Sequence, residues 1–343
     1  MREGFTGTTY GGGIYTDGTV FELKTGKEKV LHNFEDGADG AWPESGLILD
    51  KARNIYGTAR GGGDGRYGTI FKLDTAGTFT TLYTFTGGAD GGGPEAALLF
   101  DEAGDLYGTT SSGIHNFGTI FKLDATGILT TLYTFMGGVD GGSPYSWLIF
   151  DKAGTLYGTT SGGGLYGHGT IFKLDTAGTL TTLYSFCSQA NCADGENPMA
   201  GLVRDQAGNL YGTAPGGGGP ACSGGCGTIF KLDKKGVFSV LHTFTGGADG
   251  AIPYAGLVLD KEGNLYGTTQ YGGNNGCVYG YGCGTVFKLN AAGALTNIHT
   301  FTGAADGANP YAGLILDKEG NLYGAASDGG SYGKGVAFKI TPQ

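Results

Sequence analysis

One unit recurs along the whole chain at intervals of roughly fifty residues, and a period of that length restricts the fold to stacked supersecondary repeats. Written out, it is P-x-x-G-L-I-L-D-x-x-G-N-L-Y-G-T-T, a glycine-rich loop, G-T-I-F-K-L-D-x-x-G, T-x-L-Y-T-F, then G-G-x-D-G-x-x-P. The G-T-x-F phenylalanines or their equivalents are Phe21, Phe71, Phe121, Phe172, Phe230, Phe287 and Phe338. Successive members lie 50, 50, 51, 58, 57 and 51 residues apart, so the unit is constant and two copies carry insertions.

Each copy contains four strand-sized runs: a (GLILD), b (NLYGT), c (GTIFKL) and d (TLYTF). Run a is apolar throughout, as suits an innermost strand packed on both faces, whereas b to d mix aromatics with threonine. The D-x-x-G links between a and b and between c and d are hairpin turns, with Asp bonding to its own backbone and Gly taking the positive φ. One four-stranded sheet cannot cover both of its faces; radial stacking of copies does. The chain holds seven b runs, seven c runs, six a runs and six d runs, 26 strands against the 28 of seven blades and the 24 of six. The predicted fold is all-β, a seven-bladed β-propeller of four-stranded antiparallel blades with incomplete terminal blades; six blades is the alternative. One domain is expected over residues 1–343, with repeats at about 4–45, 46–96, 97–146, 147–200, 201–255, 256–312 and 313–340.

Glycine supplies 73 of the 343 residues without a Gly-X-Y period, which fits many tight turns and not a collagen-like chain. The formal net charge is −10. Nucleic acids and anionic membranes need a basic patch, so neither is an expected partner. No apolar run nears the ~18 residues that suggest a membrane span. No leader peptide is recognisable ahead of the first repeat, so an exported chain would have lost one or would continue a longer product.

Antiparallel order places the a–b and c–d turns on one face and the b–c and d–a loops on the other. The interval from loop proline to strand-b tyrosine, which holds the a–b turn, is 13 residues in all six cases, from Pro43–Tyr56 to Pro310–Tyr323. The opposite face varies. Phe186 to Pro198 spans 12 residues where other d–a loops span 9, and the b–c intervals Tyr211–Phe230 and Tyr266–Phe287 reach 19 and 21. Variable loops on a rigid scaffold are where specificity resides, so a binding site is expected on that face.

All six cysteines fall in the lengthened loops as the pairs Cys187/Cys192, Cys222/Cys226 and Cys277/Cys283. Three local disulfides are expected, stapling the insertions and placing the protein outside the cytoplasm: periplasmic, secreted or at the cell surface. No metal or other cofactor is expected, because the spacings differ and tetrahedral zinc would require two cysteine loops to converge.

The recurring aspartates of the D-G-x-x-P loop and of strand a read as turn formers, since a catalytic residue is rarely needed in every blade. Departures from the template say more. Immediately after the loop proline stand Glu44, Glu95, Tyr145, Met199, Tyr254 and Tyr311, with Trp42 close by. The b–c loops add His115, Tyr166, His168, Tyr279 and Tyr281. Aromatic rings beside acids suit sugar rings, whose apolar faces stack while their hydroxyls hydrogen-bond; they equally suit a protein partner. Glu44 and Glu95 belong to adjacent blades, and a paired-carboxylate glycosidase needs its acids about 5–9.5 Å apart. Their alternative reading is a pair of solvated glutamates at the pore mouth.

The G-T-I-F-K-L, L-Y-T-F, D-G-x-x-P, G-L-I-L-D and N-L-Y-G-T-T segments, with the variants C-G-T-I-F at 226–230 and C-G-T-V-F at 283–287, resemble the Gloeobacter/Verrucomicrobia tandem repeat family. The resemblance covers essentially the whole chain. It implies an exported bacterial protein, often with a C-terminal surface anchor, though none is visible at Thr341–Gln343. It implies no defined activity or site residues. Strands a to c also look like the NHL and gluconolactonase-like propeller blade, an analogy of fold and not of function. The expected role is a monomeric propeller whose face binds a polysaccharide or a surface protein without catalysis. The alternative is a carbohydrate-active enzyme, glycoside hydrolase or polysaccharide lyase, with its site at the variable-face pore mouth.

Overall fold

The computed structural model describes residues 4–24, 26–273, 276–277 and 281–342. Seven antiparallel sheets succeed one another along the chain, the blades of a seven-bladed β-propeller. The first is three-stranded (Gly4–Thr9, Thr19–Lys24, Lys27–Asn33) and lacks run a. Five four-stranded blades follow within residues 48–84, 99–134, 149–185, 203–243 and 258–300; the seventh, within 315–340, lacks run d. Each sheet keeps the order a-b-c-d, as in blade 2: Ile48–Leu49, Ile55–Ala59, Thr69–Leu73 and Phe79–Thr84.

The chain divides into two compact units, residues 1–158 with 173–181, and residues 159–172 with 182–343. In the first unit the blade 1–2 core gathers Val20, Phe34, Ile55, Phe71 and Leu73, and the blade 2–3 core gathers Ile70, Phe85, Leu98, Phe121 and Leu123. In the second, Ile229, Phe244, Leu257, Leu265, Phe287 and Leu289 repeat the arrangement. The recurrent joint is an edge-to-face pair between the strand-d phenylalanine of one blade and the strand-c phenylalanine of the next. Ring centroids are 5.3 Å apart for Phe34–Phe71 and Phe85–Phe121, and 5.1 Å for Phe186–Phe230. Such pairs add about 0.5–1.5 kcal/mol beyond area burial.

The strand-c ring reaches that joint by a bulge. The c–d register shifts at Ile70/Phe71 and again at Ile120/Phe121, Ile229/Phe230 and Val286/Phe287. Opposite it on strand b stands the glycine of N-L-Y-G-T-T, as Gly57 does opposite Phe71. A Cβ on Gly57 would lie 2.6 Å from Phe71 Cζ, so the ring occupies the space a side chain would need.

Run a departs from the sequence expectation. It forms only two ladder residues per blade, and Leu49 and Ile315 are exposed. The buried member is the leucine before them, as with Leu98, Leu202 and Leu257, which packs beside the strand-b glycine. Alternation therefore operates even within a run that is apolar throughout.

The d–a loops are locked from within. Asp90 accepts hydrogen bonds from the Tyr83 hydroxyl at 3.1 Å and the Thr86 amide at 2.8 Å; His32, His242 and His299 replace the tyrosine and meet Asp39, Asp249 and Asp306.

The three disulfides are Cys187–Cys192, Cys222–Cys226 and Cys277–Cys283, all in the second unit. Two of them take over a packing role. In blades 2 and 3 the residue before G-T is Tyr67 or Phe117, whose ring lies on Gly87 or Gly137 of the next d–a loop. In blades 5 and 6 that residue is Cys226 or Cys283, and the disulfide sulfurs cover the equivalent Gly246 and Gly303. Bonded cysteines are separated by only 4 to 6 positions, and such short loops constrain the unfolded chain least. Full reduction is expected to leave the far-ultraviolet circular dichroism unchanged while opening the loops to protease. Loss of the β-sheet signal on reduction would contradict this.

Candidate functional site

Two loops build the site in the first unit. The d–a loop entering blade 2 pairs with the continuation of its strand b, Ala41 and Gly61 exchanging backbone hydrogen bonds of 2.8 and 3.0 Å. Blade 3 does the same with Gly92 and Ser112. Trp42 adopts a left-handed φ of 56°, and its indole lies across Gly61, where a Cβ would stand 2.7 Å from the ring. Each post-proline residue is then fixed from the preceding blade. The Thr8 hydroxyl donates to Ser45 O at 3.2 Å and the Thr58 hydroxyl to Ala96 O at 3.3 Å, next to Glu44 and Glu95.

Arg60, immediately after strand b of blade 2, joins the two acids. Its Nε is 3.2 Å from Glu95 Oε1 and its Nη1 3.7 Å from Glu44 Oε1. The Glu44 and Glu95 carboxyls are close enough to perturb each other's protonation, and the Ser111 hydroxyl donates to Glu95 Oε1 at 3.0 Å. The side chain of Glu95 is 15% exposed and that of Glu44 31%. Burial pushes the Glu95 carboxyl up to about 6, with the Glu44 charge adding to the rise and Arg60 opposing it. Burial also raises Glu44, against the pull of Arg60. Burial works against the Arg60 charge, but Glu95 and Glu44 outweigh it, so the guanidinium stays protonated. The arrangement is a pair of carboxyls, both raised by burial, held by one cation.

Beside it opens a cleft of about 390 Å³ lined by Tyr10, Trp42, Arg60, Gly61, Arg66, Tyr67, Gly93, Ser111 and Ser112. Tyr10 and Trp42 stack at 6.3 Å and 27° along its wall. Of the expected residues, Glu44 and Glu95 meet at Arg60, Trp42 lines the cleft, and Tyr145 is half-buried within electrostatic reach of Arg60. His115 is exposed in the same unit. In the second unit the Tyr254 and Tyr311 rings meet at 4.4 Å, tilted by 31°, while Tyr166 and Tyr281 are exposed. His168 Nδ1 pairs with Glu196 Oε2 at 2.9 Å. Tyr279 lies outside the described residues. Sequence reasoning missed Arg60, Ser111 and Tyr10, which share one register position after strand b. Six of the seven copies carry Tyr10, Arg60, Ser111, Ser161, Gln270 and Ser327 there, and only Arg60 is charged.

The chain belongs to the Gloeobacter/Verrucomicrobia repeat family, whose model matches residues 3–222 and 188–343. No curated protein sequence matches it. Its fold is that of gluconolactonase and NHL-type propellers. A candidate 6-phosphogluconolactonase from Bacteroides uniformis shares 16% identity over 99% of this chain and 96% of its own, with a TM-score of 0.59. A gluconolactonase from Xanthomonas campestris shares 17% over 94% and 90%, with a TM-score of 0.52. Virginiamycin B lyase from Staphylococcus aureus shares 12% over 88% and 84%, with a TM-score of 0.52. At these identities the likeness is one of fold.

The expectation of a face that binds without catalysis is corrected. It rested on two solvated glutamates, whereas Glu95 is largely withdrawn from water and both acids are tied to Arg60. A second group, His168, Cys187, Cys192 and Glu196, holds ligand-type atoms within 4.8 Å of one another. The three solved propellers described above carry the names of two lactonases and a lyase.

Proposed function

We propose that this protein is a carbohydrate-active hydrolase whose Glu44–Glu95 pair acts on an acyl bond, a lactone or ester of a sugar. The grip of one guanidinium, Arg60, on both carboxyls carries the reading. Glycosidases hold their acids about 5–9.5 Å apart so that a sugar carbon or a water fits between them. Two carboxyls held on one guanidinium are drawn toward each other instead. They suit acid–base chemistry at an acyl carbon: the carboxylate takes a proton from water as it attacks the carbonyl carbon, and the carboxylic acid protonates the carbonyl oxygen. The intermediate then collapses as that hydroxyl proton returns to the donor and the newly protonated base gives its proton to the leaving oxygen, breaking the acyl C–O bond.

Glu95, the more buried and more strongly raised acid, is the proton donor, and Glu44, the more exposed, is the base. Ser111 and Arg60 hold Glu95 in place. Arg60 keeps further N–H donors beyond its two carboxylate contacts, available to the negative charge that develops on the substrate oxygen. Stacked Tyr10 and Trp42 supply an apolar wall for one face of a pyranose, and the cleft has the size of a small-molecule site. The lactonase names among proteins of like fold agree with this reading without deciding it. Export belongs to the same proposal: three disulfides fit an oxidising compartment, and no helix among the described residues is long and apolar enough to cross a membrane.

The test is a panel of sugar lactones and acylated sugars followed by acid release. Turnover above the buffer rate is expected, lowered roughly 10²–10⁴-fold in Glu44→Gln. Shortening of a polysaccharide with no lactone or ester hydrolysis would overturn the acyl assignment.

A further inference from the structure

The joint between the residue before G-T and the next d–a loop, filled by a ring in blades 2 and 3 and by a disulfide in blades 5 and 6, is filled differently in blade 4. There the residue before G-T is His168, and the loop it faces carries Cys187, Cys192 and Glu196. The Asn197 amide donates to His168 O at 2.8 Å, which brings the loop against the histidine. Glu196 is itself a departure: the other five loops have Ala41, Gly92, Gly142, Ala251 or Ala308 at that place. Gly216 makes room for it, since a Cβ there would lie 2.7 Å from Glu196 Cγ. Imidazole, carboxylate and two sulfurs thus meet with every ligand atom within 4.8 Å of the others, and no second cysteine loop is needed.

We infer that reduction of the Cys187–Cys192 disulfide converts this cluster into a four-coordinate site for a divalent metal of the zinc class. Sulfurs bonded to each other are poor ligands; two thiolates, an imidazole and a carboxylate are a tetrahedral zinc set, and C-x4-C lies within the spacing such sites use. A dithiol delivers two electrons and two protons to the disulfide and becomes a disulfide itself. Metal entry then displaces both thiol protons to solvent and separates the His168–Glu196 pair. Accessibility favours this bond over the other two: Cys187 and Cys192 are both half-exposed, whereas Cys226 and Cys283 are buried. The site is thus a redox-gated metal site, closed in the oxidised protein and open in the reduced one. It rests on different residues from the acid pair and stands or falls separately.

Cobalt(II) is the probe. Added to the dithiol-reduced full chain, it is expected to give one equivalent of a tetrahedral spectrum with a thiolate-to-cobalt charge-transfer band, absent from the oxidised protein. The band should disappear in the Cys187→Ser/Cys192→Ser variant, persist in Cys222→Ser/Cys226→Ser, and require roughly tenfold more cobalt or beyond in His168→Ala. A measurement on the unmodified chain guards against variants that misfold. Zinc(II) should protect Cys187 and Cys192, and not Cys222, from alkylation after reduction. No thiolate band, a band that survives loss of Cys187 and Cys192, or no selective protection would overturn the inference.

Discussion

Glu95→Gln is expected to stabilise the protein at neutral pH and, in the same change, to silence it. The Glu95 carboxyl is lifted from its ordinary 4.5 to about 6 by burial first and by the neighbouring Glu44 charge second. The folded state therefore binds the proton more tightly than the unfolded chain. Stability from this group is full below pH 4.5 and is lost as pH rises through about 6. A rise of that size corresponds to about 2 kcal/mol at pH 7. Glutamine imitates the protonated acid: its carbonyl accepts from Arg60 and Ser111 and its amide donates to Glu44, with no charge to desolvate. Denaturant unfolding should show the wild type losing stability between pH 4 and 7 relative to the variant, and the two converging at acid pH. Acyl hydrolysis should fall roughly 10²–10⁴-fold in the same variant, and in the wild type it should decline above pH 6 as the donor loses its proton. A destabilised variant, or one with full turnover, would show that Glu95 serves the fold and not the chemistry.

The fold was legible because each blade repeats the same local choices. G-T-x-F marks a ring that must cross to the next blade, the strand-b glycine leaves room for it, and the invariant a–b spacing ties that turn down. Run a was misread because four consecutive apolar residues hide which one is buried, and the packing of Leu47 or Leu98 beside a glycine decides that. The site was half legible. Glu44 and Glu95 stood out as acids at a position held elsewhere by Tyr or Met. Their separation did not, because it depends on where the Thr8 and Thr58 hydroxyls pin the following carbonyls. Arg60 and Glu196 were visible in the alignment of repeats as charged departures. Position alone could not reveal that Arg60 reaches a carboxylate of the next blade, or that Glu196 turns toward His168.

Removing a strand-c ring is expected to cost more stability than any other single truncation, and the repeat itself supplies the control. Phe230 is fully buried, meets Phe186 edge to face at 5.1 Å and stacks on Phe238 at 5.6 Å. Phe230→Ala should destabilise by about 3–5 kcal/mol, the transfer of the ring plus the cavity left behind. Gly212, opposite on strand b, tests whether ring and glycine form one device. An added Cβ would lie 2.5 Å from Phe230 Cζ and 3.1 Å from Leu202 Cδ2, so Gly212→Ala alone should cost about 1–3 kcal/mol through overpacking. Its φ lies outside the left-handed region, so the penalty is steric and comes chiefly from the ring. With the ring gone the new methyl enters empty space. The double variant Gly212→Ala/Phe230→Ala should therefore unfold at nearly the same denaturant midpoint as Phe230→Ala alone. A coupling of that sign and size is what contacting residues show. Simple additivity of the two costs would mean that the glycine answers to the backbone of strand b, and that the bulge aims the ring without needing the space.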